Sequence, residues 1–124
     1  MRKNVKTYSF DDESILGEGG FARVFLARNE GADTDAALKI LKPEFEDNSY
    51  VVESFFRDPT VMRALDHKNI IKILDVGAPT EKPFYLSMEY CQGGDLRRIL
   101  QRKGKLAIAS VLGYAVTLCD ALAY

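Results

Sequence analysis

The sequence predicts an α+β fold, in which a five-stranded antiparallel sheet and one helix precede two further helices. Three observations carry this prediction. Short apolar runs of strand length are separated by clusters of glycine, proline and other turn residues. One stretch with a helix-capping signal lies between the third and fourth runs. After Gly93-Gly94 the strand pattern ends and helix-like segments follow.

The predicted strands take their limits from the turn residues around them. Residues 8–16 and 22–29 flank a glycine run and form the first two strands. A Glu-Gly-Ala-Asp-Thr cluster then leads into a third strand at residues 35–41. The apolar runs at residues 70–76 and 84–90 supply the last two strands, on either side of a proline-containing turn.

The predicted helices begin at capping residues. Residues 47–49 offer a cap for a helix that runs to residue 65. Residues 95–101 form a short helix, and a long helix starts at residue 105. The residues from 106 to 124 carry a single charge, on Asp120, and are apolar on nearly every face. That composition is typical of a helix surrounded by protein.

The most informative motif is a glycine hairpin followed by a lysine. The hairpin reads Leu16-Gly17-Glu18-Gly19-Gly20-Phe21-Ala22-Arg23-Val24, and the lysine ends the run Ala36-Ala37-Leu38-Lys39. Glycines allow backbone amides to approach phosphates closely, and the lysine would then contact the same phosphates. Alone, the glycine run would more often be a plain turn and the lysine a solvated strand residue. Together they indicate ATP.

Composition argues against several other functions. The chain has 124 residues, of which 47% are hydrophobic and 28% charged, as in an ordinary globular domain. A net charge of -1 offers no electrostatic footprint for nucleic acid or an anionic membrane. Cys91 and Cys119 have neither metal-binding nor redox spacing, and no apolar leader follows Met1. We therefore expect a cytoplasmic protein with reduced thiols, no metal ligands and no membrane span.

The order of these motifs resembles the N-terminal half of the catalytic domain of eukaryotic-type Ser/Thr protein kinases. The motifs are the glycine hairpin, the Ala-x-Lys strand, the segment His67-Lys68-Asn69-Ile70, and the segment from Met88 to Leu96. The resemblance implies a kinase N-lobe at residues 1–90, followed by the hinge and first helices of a C-lobe at residues 91–124. It also implies transfer of a phosphoryl group from ATP, with Mg²⁺, to hydroxyl groups of an unidentified protein substrate.

The resemblance also assigns roles within the nucleotide site. Val24 and Ala37 would cover the adenine from above, Leu96 would close it from below, and Met88 would guard the pocket behind it. The backbone of Glu89 to Cys91 would hydrogen-bond the adenine edge. Asp95 matches the ribose-binding acid, and it equally suits the cap of the helix that follows. The implied ATP-binding residues are Leu16, Gly17, Glu18, Gly19, Gly20, Val24, Ala37, Lys39, Met88, Glu89, Cys91, Asp95 and Leu96.

The sequence departs from the family pattern before His67, which we expect to be structural. Asp58 stands nine residues earlier, where the family has the glutamate that pairs with the lysine, and Pro59 follows it. Proline inside a helix removes a backbone donor, whereas Asp-Pro is a good helix start. We therefore expect the helix to kink or restart at Asp58, leaving Asp58 as a weak or absent partner of Lys39. A smaller departure is Ala22, in place of the third glycine.

The family's catalytic base and Mg²⁺ ligands would lie beyond Tyr124, so we expect the 124-residue chain to be truncated and inactive alone. The helix at residues 106–124 would then lack cover, which predicts self-association, a complementary partner or poor solubility. A non-catalytic interaction module or a non-functional fragment remain the alternatives. A basic cluster from Arg97 to Lys105 indicates a solvated helix face, with docking of an acidic partner as the second interpretation.

Overall fold

The computed structural model describes all 124 residues. It contains six strands and three α-helices. The strands pair antiparallel in one sheet, in the order β1-β2-β3-β4-β6-β5. This confirms the predicted α+β fold, with one strand more than predicted. In chain order the elements are β1 (Arg2–Val5), β2 (Tyr8–Glu18), β3 (Ala22–Asn29), β4 (Thr34–Leu41), α1 (Ser49–Met62), β5 (Ile73–Val76), β6 (Tyr85–Met88), α2 (Leu96–Lys103) and α3 (Ile108–Leu122).

The additional strand is β1, at one edge of the sheet. Its sequence is Arg-Lys-Asn-Val, and Val5 is its only buried residue. It is held by backbone pairing with β2 and by polar contacts, including an ion pair of 2.8 Å between Lys3 and Asp12. Because backbone pairing needs no apolar side chains, hydrophobic patterning did not predict this strand.

Helix α1 begins at the predicted cap and is continuous. The Asn48 side chain accepts a hydrogen bond of 3.2 Å from the amide of Val51, which confirms the cap. We predicted a kink or a restart at Asp58, and the restart is wrong, because α1 runs without interruption through Asp58 and the buried Pro59. Pro59 has no N–H to donate to the carbonyl of Phe55, four residues earlier, so α1 lacks one helical hydrogen bond there. Burial of its ring offsets part of the cost of the missing donor.

The sheet separates two apolar clusters. One lies on the face away from α1 and includes Phe10, Phe25, Leu38 and Tyr85. The other packs α1 against the opposite face, and its buried members are Ala22, Leu41, Val51, Phe55, Phe84 and Leu86. Leu38 and Leu41 have no exposed surface, so the central strand β4 anchors both clusters.

The chain divides into two compact units. The first unit comprises Met1–Leu65 and Lys72–Tyr90, and the second comprises Asp66–Ile71 and Cys91–Tyr124. Within the second unit, the side-chain nitrogen Nδ2 of Asn69 donates to the backbone oxygen of Thr117 on α3, at 3.2 Å. Helix α3 contains no buried residue, and Ile108 and Leu122 are 79% and 85% exposed. In this chain α3 is therefore an uncovered helix, despite its apolar composition.

A substitution at Gly77 tests how tightly the sheet is packed beyond β5. Gly77 donates a hydrogen bond of 2.9 Å to the carbonyl of Tyr85, and a Cβ at Gly77 would lie 2.7 Å from the Tyr85 ring. Gly77→Ala should therefore lower the free energy of unfolding by about 1–3 kcal/mol through overpacking. Urea denaturation measures the change. Gly113→Ala is the control, because nothing lies within 4 Å of a Cβ there, and it should not destabilise the protein.

Candidate nucleotide site

The glycine hairpin is closed by backbone hydrogen bonds. The amide of Gly19 donates to the carbonyl of Ala22 at 2.9 Å, and the amide of Lys42 donates to the carbonyl of Phe21 at 2.8 Å. The Phe21 ring packs edge-on against Phe45, with centroids 4.9 Å apart. The tip of the hairpin is thus attached to the segment that follows β4.

The hairpin glycines leave space beside the backbone. A Cβ would meet nothing within 4 Å at Gly17 or Gly20, and at Gly19 only the Ala22 oxygen, at 3.8 Å. None of the three adopts a positive φ angle. At this site the glycines therefore leave open space in which a ligand could approach the backbone closely. They do not supply an unusual backbone conformation.

The side chain of Glu18 braces the hairpin. It pairs across the strands with Arg23 and lies 3.7 Å from Lys42 Nζ. The hydrogen bond from Arg23, followed by the charge of Lys42, lowers the pKa of the Glu18 carboxyl group. Glu18 is therefore ionised at neutral pH and ties β2 to β3 at the end of the hairpin. Neighbouring Leu16 is 37% exposed.

Strand register brings several predicted site residues to one face of the sheet. Val24 pairs with Lys39 across β3 and β4, and Ala37 pairs with Met88 across β4 and β6. Directly paired residues share a face, and Ala37 and Lys39 share theirs because side chains alternate along a strand. Gly17 pairs with Val24 and completes the row. The buried residues of α1 cover the Leu41 end of this face, so Lys39 stands beside the helix.

Lys39 and Asp58 line a common cleft without forming an ion pair. The cleft has a volume of about 290 Å³ and lies between the hairpin and α1. Lys39 Nζ stands 5.9 Å from the centroid of the Phe55 ring, at the outer limit of a cation–π contact. Asp58 appears in none of the ion pairs or side-chain hydrogen bonds. The cleft thus holds an ammonium group whose nearest described partner is an aromatic ring.

The end of β6 presents a free carbonyl group. The amide of Glu89 donates to the carbonyl of Lys72 at 3.0 Å, and the Glu89 side chain accepts from the amide of Lys72 at 2.6 Å. The side chain of Glu89 therefore satisfies the backbone amide of Lys72. The Glu89 carbonyl oxygen has no hydrogen-bond partner within the chain.

Three predicted site residues belong to the second unit. Cys91 is an exposed free thiol whose amide forms no hydrogen bond within the chain. Asp95 caps α2, because its Oδ1 accepts a hydrogen bond of 2.7 Å from the amide of Arg98. Leu96, the first residue of α2, is 43% exposed. Capping uses one oxygen of Asp95 and leaves Oδ2 available.

His67 has a structural position. Its Nδ1 accepts a hydrogen bond of 3.0 Å from the amide of Asn69, and its Nε2 lies 3.5 Å from an Asp120 oxygen. The ring also packs at a tilt against the Tyr124 ring, with centroids 5.3 Å apart. His67 thus joins residues 66–71 to α3 within the second unit.

Sequence reasoning missed two residues of the candidate site. Phe55 faces Lys39, and Lys72 fixes Glu89. Val51 and Phe55 stand one helical turn apart on the buried face of α1, but this spacing carries no indication that one of them would contact a charge. Across the chain, no group of three or more His, Cys, Asp or Glu side chains is arranged to hold a metal ion. None of the helices has both the length and the apolar character required to cross a bilayer.

Comparison with known proteins gives one consistent result. The family model described as "Protein kinase domain" matches residues 10–124. A probable serine/threonine-protein kinase of Clostridium perfringens is 34% identical over 86% of this chain and 16% of its own length. A serine/threonine-protein kinase of Myxococcus xanthus is 34% identical over 80% of the chain and 18% of its own. The serine/threonine-protein kinase PrkC of Bacillus subtilis is 30% identical over 89% of the chain and 17% of its own length.

The chain thus spans less than a fifth of the length of these three relatives. The matched residues nevertheless include the hairpin, Lys39 and the segment after β6. Because the family match covers nearly the whole chain, this protein belongs to the protein kinase domain family.

Proposed function

We propose that this chain is the ATP-binding portion of a Ser/Thr protein kinase, with residues 1–90 as its N-lobe and residues 91–124 as the hinge and start of the C-lobe. One observation carries the proposal. Lys39 shares a sheet face with Val24, Ala37 and Met88, beside a hairpin whose glycines leave open space. This face of the sheet offers an apolar surface for a base, and the Lys39 ammonium group on the same face offers a positive charge for phosphates.

The residues fit the chemistry of a nucleoside triphosphate. Apolar Val24, Ala37 and Met88 suit the faces of adenine, and the unpaired Glu89 carbonyl suits its polar edge. Lys39 suits the α- and β-phosphates, since its ammonium group has no carboxylate partner. Bound ATP would supply the γ-phosphoryl group that the complete kinase transfers to protein hydroxyls. We assign no Mg²⁺ ligand among these residues and infer a cytoplasmic location from the two free thiols.

Thermal unfolding with and without nucleotide tests this proposal. A ligand that binds only the folded state stabilises it, by about 2.7 kcal/mol at a concentration one hundred times Kd. We expect ATP with Mg²⁺ to raise the Tm of the chain, and free ribose triphosphate lacking the base to raise it much less. An unchanged Tm in a cooperatively unfolding sample at millimolar ATP would contradict the proposal.

The uncovered helix α3 favours a second role, as an association surface. Its large apolar side chains are exposed, with Val116 at 70% and Leu112 at 60%. We expect the chain to elute from a size-exclusion column above its mass of 13.9 kDa. The double variant Leu112→Glu/Val116→Lys should shift elution towards the monomer, because it places charges on the exposed face. A concentration-independent monomer in the unsubstituted chain would exclude self-association.

A further inference from the structure

A concentrated basic surface on the second unit has no role in the proposed nucleotide site. It comprises Arg97, Arg98, Arg102, Lys103 and Lys105, which we call the α2 basic face. All five residues are exposed, and none forms an ion pair. No Asp or Glu occurs between Leu96 and Cys119. Asp95, immediately before α2, caps the helix through one carboxylate oxygen, and the segment from Leu96 to Lys105 itself carries five positive charges and no negative one.

The first unit shows the opposite pattern. At least eight of its eleven Lys and Arg side chains form ion pairs with Asp or Glu. These eight are Arg2, Lys3, Lys6, Arg23, Arg28, Lys42, Arg57 and Lys82. The same chain thus pairs most of its cations in one unit and leaves a cluster of five unpaired in the other.

Helix stability does not explain the cluster. Arg97 and Arg98 stand in the first turn of α2, where the helix dipole disfavours positive charge. Arg98 and Arg102 are four residues apart, a spacing at which like charges repel on a helix surface. Only Arg102 and Lys103, in the last turn, suit the dipole. An external anion bound between Arg98 and Arg102 would offset both the repulsion between them and the unfavourable interaction with the helix dipole.

Three of the five residues of the α2 basic face are arginines, the residue type best suited to bind oxyanions. The planar guanidinium group forms paired hydrogen bonds with phosphate or carboxylate, which the ammonium group of lysine does not. Arg98 and Arg102 stand one turn apart on the same face, and the Arg98 side chain runs back past Gly94, whose added Cβ would lie 3.5 Å from Arg98 Cδ. Two guanidinium groups carried one turn apart on a helix face match a phosphoryl group of charge about −1.5 to −2 better than a single carboxylate of charge −1.

We propose that the α2 basic face is a docking surface for a phosphorylated peptide segment, with Arg98 and Arg102 as the phosphoryl-binding pair. Arg97, Lys103 and Lys105 extend the positive surface along the peptide. This surface does not require nucleotide binding, so the proposal stands or fails independently of the function proposed above.

Fluorescence anisotropy with the full chain tests the proposal. The probe is a short fluorescein-labelled Gly-Ala peptide with one central phosphoserine, and the comparison peptides carry serine or glutamate at that position. We expect the phosphoserine peptide to bind at least about tenfold more tightly than either, and to weaken as salt screens the charges. Arg98→Gln/Arg102→Gln should raise its Kd at least about tenfold, since it removes two charge-assisted contacts. Glutamine keeps helix propensity close to that of arginine.

A matched control separates the site from net charge. Arg63→Gln/Lys68→Gln also removes two exposed, unpaired cations, and it should change the Kd less than about twofold. Arg98→Lys/Arg102→Lys keeps the charge and loses the planar fork, and we expect at least about threefold weaker binding. Circular dichroism verifies that each variant is folded.

Three results would overturn the proposal. One is equal binding of the glutamate and phosphoserine peptides, which would assign the face to an acidic segment instead. Another is an equal loss of affinity in the two double Gln variants. The third is tighter binding to phosphatidylserine vesicles than to the phosphopeptide, abolished by Arg98→Gln/Arg102→Gln, which would assign the face to a membrane surface.

Discussion

Leu38→Ala should lower the free energy of unfolding by about 2–5 kcal/mol, the range found for deletion of a buried leucine side chain. Leu38 lies on the central strand β4 and has no exposed surface. It pairs with Phe25 on one side and Ser87 on the other, inside the cluster on the face away from α1. Alanine would leave a cavity between two neighbouring strands, which the paired backbones prevent from closing.

The effect is large because small domains have free energies of unfolding of only about 5–15 kcal/mol. Urea denaturation followed by far-UV circular dichroism measures it as a fall in the midpoint at constant slope. Leu74→Ala is the matched control, since Leu74 belongs to the same sheet but is 45% exposed. We expect it to lose less than about 1 kcal/mol. Similar losses in both variants would contradict the assignment of Leu38 to the core.

Elements with a strong local signal were predictable from sequence. Residues 22–29 were predicted and found as one strand, because apolar residues fill the run and turn residues bound it. A cap within residues 47–49 was predicted, and Asn48 forms it, because a side-chain oxygen beside free amides is a local interaction. The family resemblance, now confirmed, needed only the order and spacing of short motifs.

Features that depend on distant partners were not predictable. Strand β1 forms because β2 offers a free edge, and α1 continues through Pro59 because that residue is buried against the fold. In both places tertiary contacts override local preference. The contact of Lys39 with Phe55 likewise follows from the packing of α1 on the sheet, and one-dimensional spacing identified only the acidic candidate Asp58.

Lys39→Met should remove most of the stabilisation that ATP gives to the folded chain. Hydrogen bonds to charged groups contribute about 1.5–3 kcal/mol, which corresponds to roughly tenfold to hundredfold in affinity. At an ATP concentration one hundred times the original Kd, the stabilisation would fall from about 2.7 kcal/mol to between about 1.4 and about 0.4 kcal/mol. Methionine keeps the length and apolar stem of lysine, and its sulfur tolerates contact with the Phe55 ring. The variant should therefore fold.

Lys68→Met makes the same chemical change at an exposed lysine of the second unit, and it should retain the full ATP-dependent rise in Tm. The pair of variants separates a phosphate contact from a general loss of positive charge. Retention of the rise in Lys39→Met would place the phosphates elsewhere, and the shared sheet face of Val24, Ala37 and Met88 would then serve as an apolar surface only. Loss in Lys39→Met alone would localise the phosphates beside the glycine hairpin, where Lys39 Nζ meets an aromatic ring and no carboxylate.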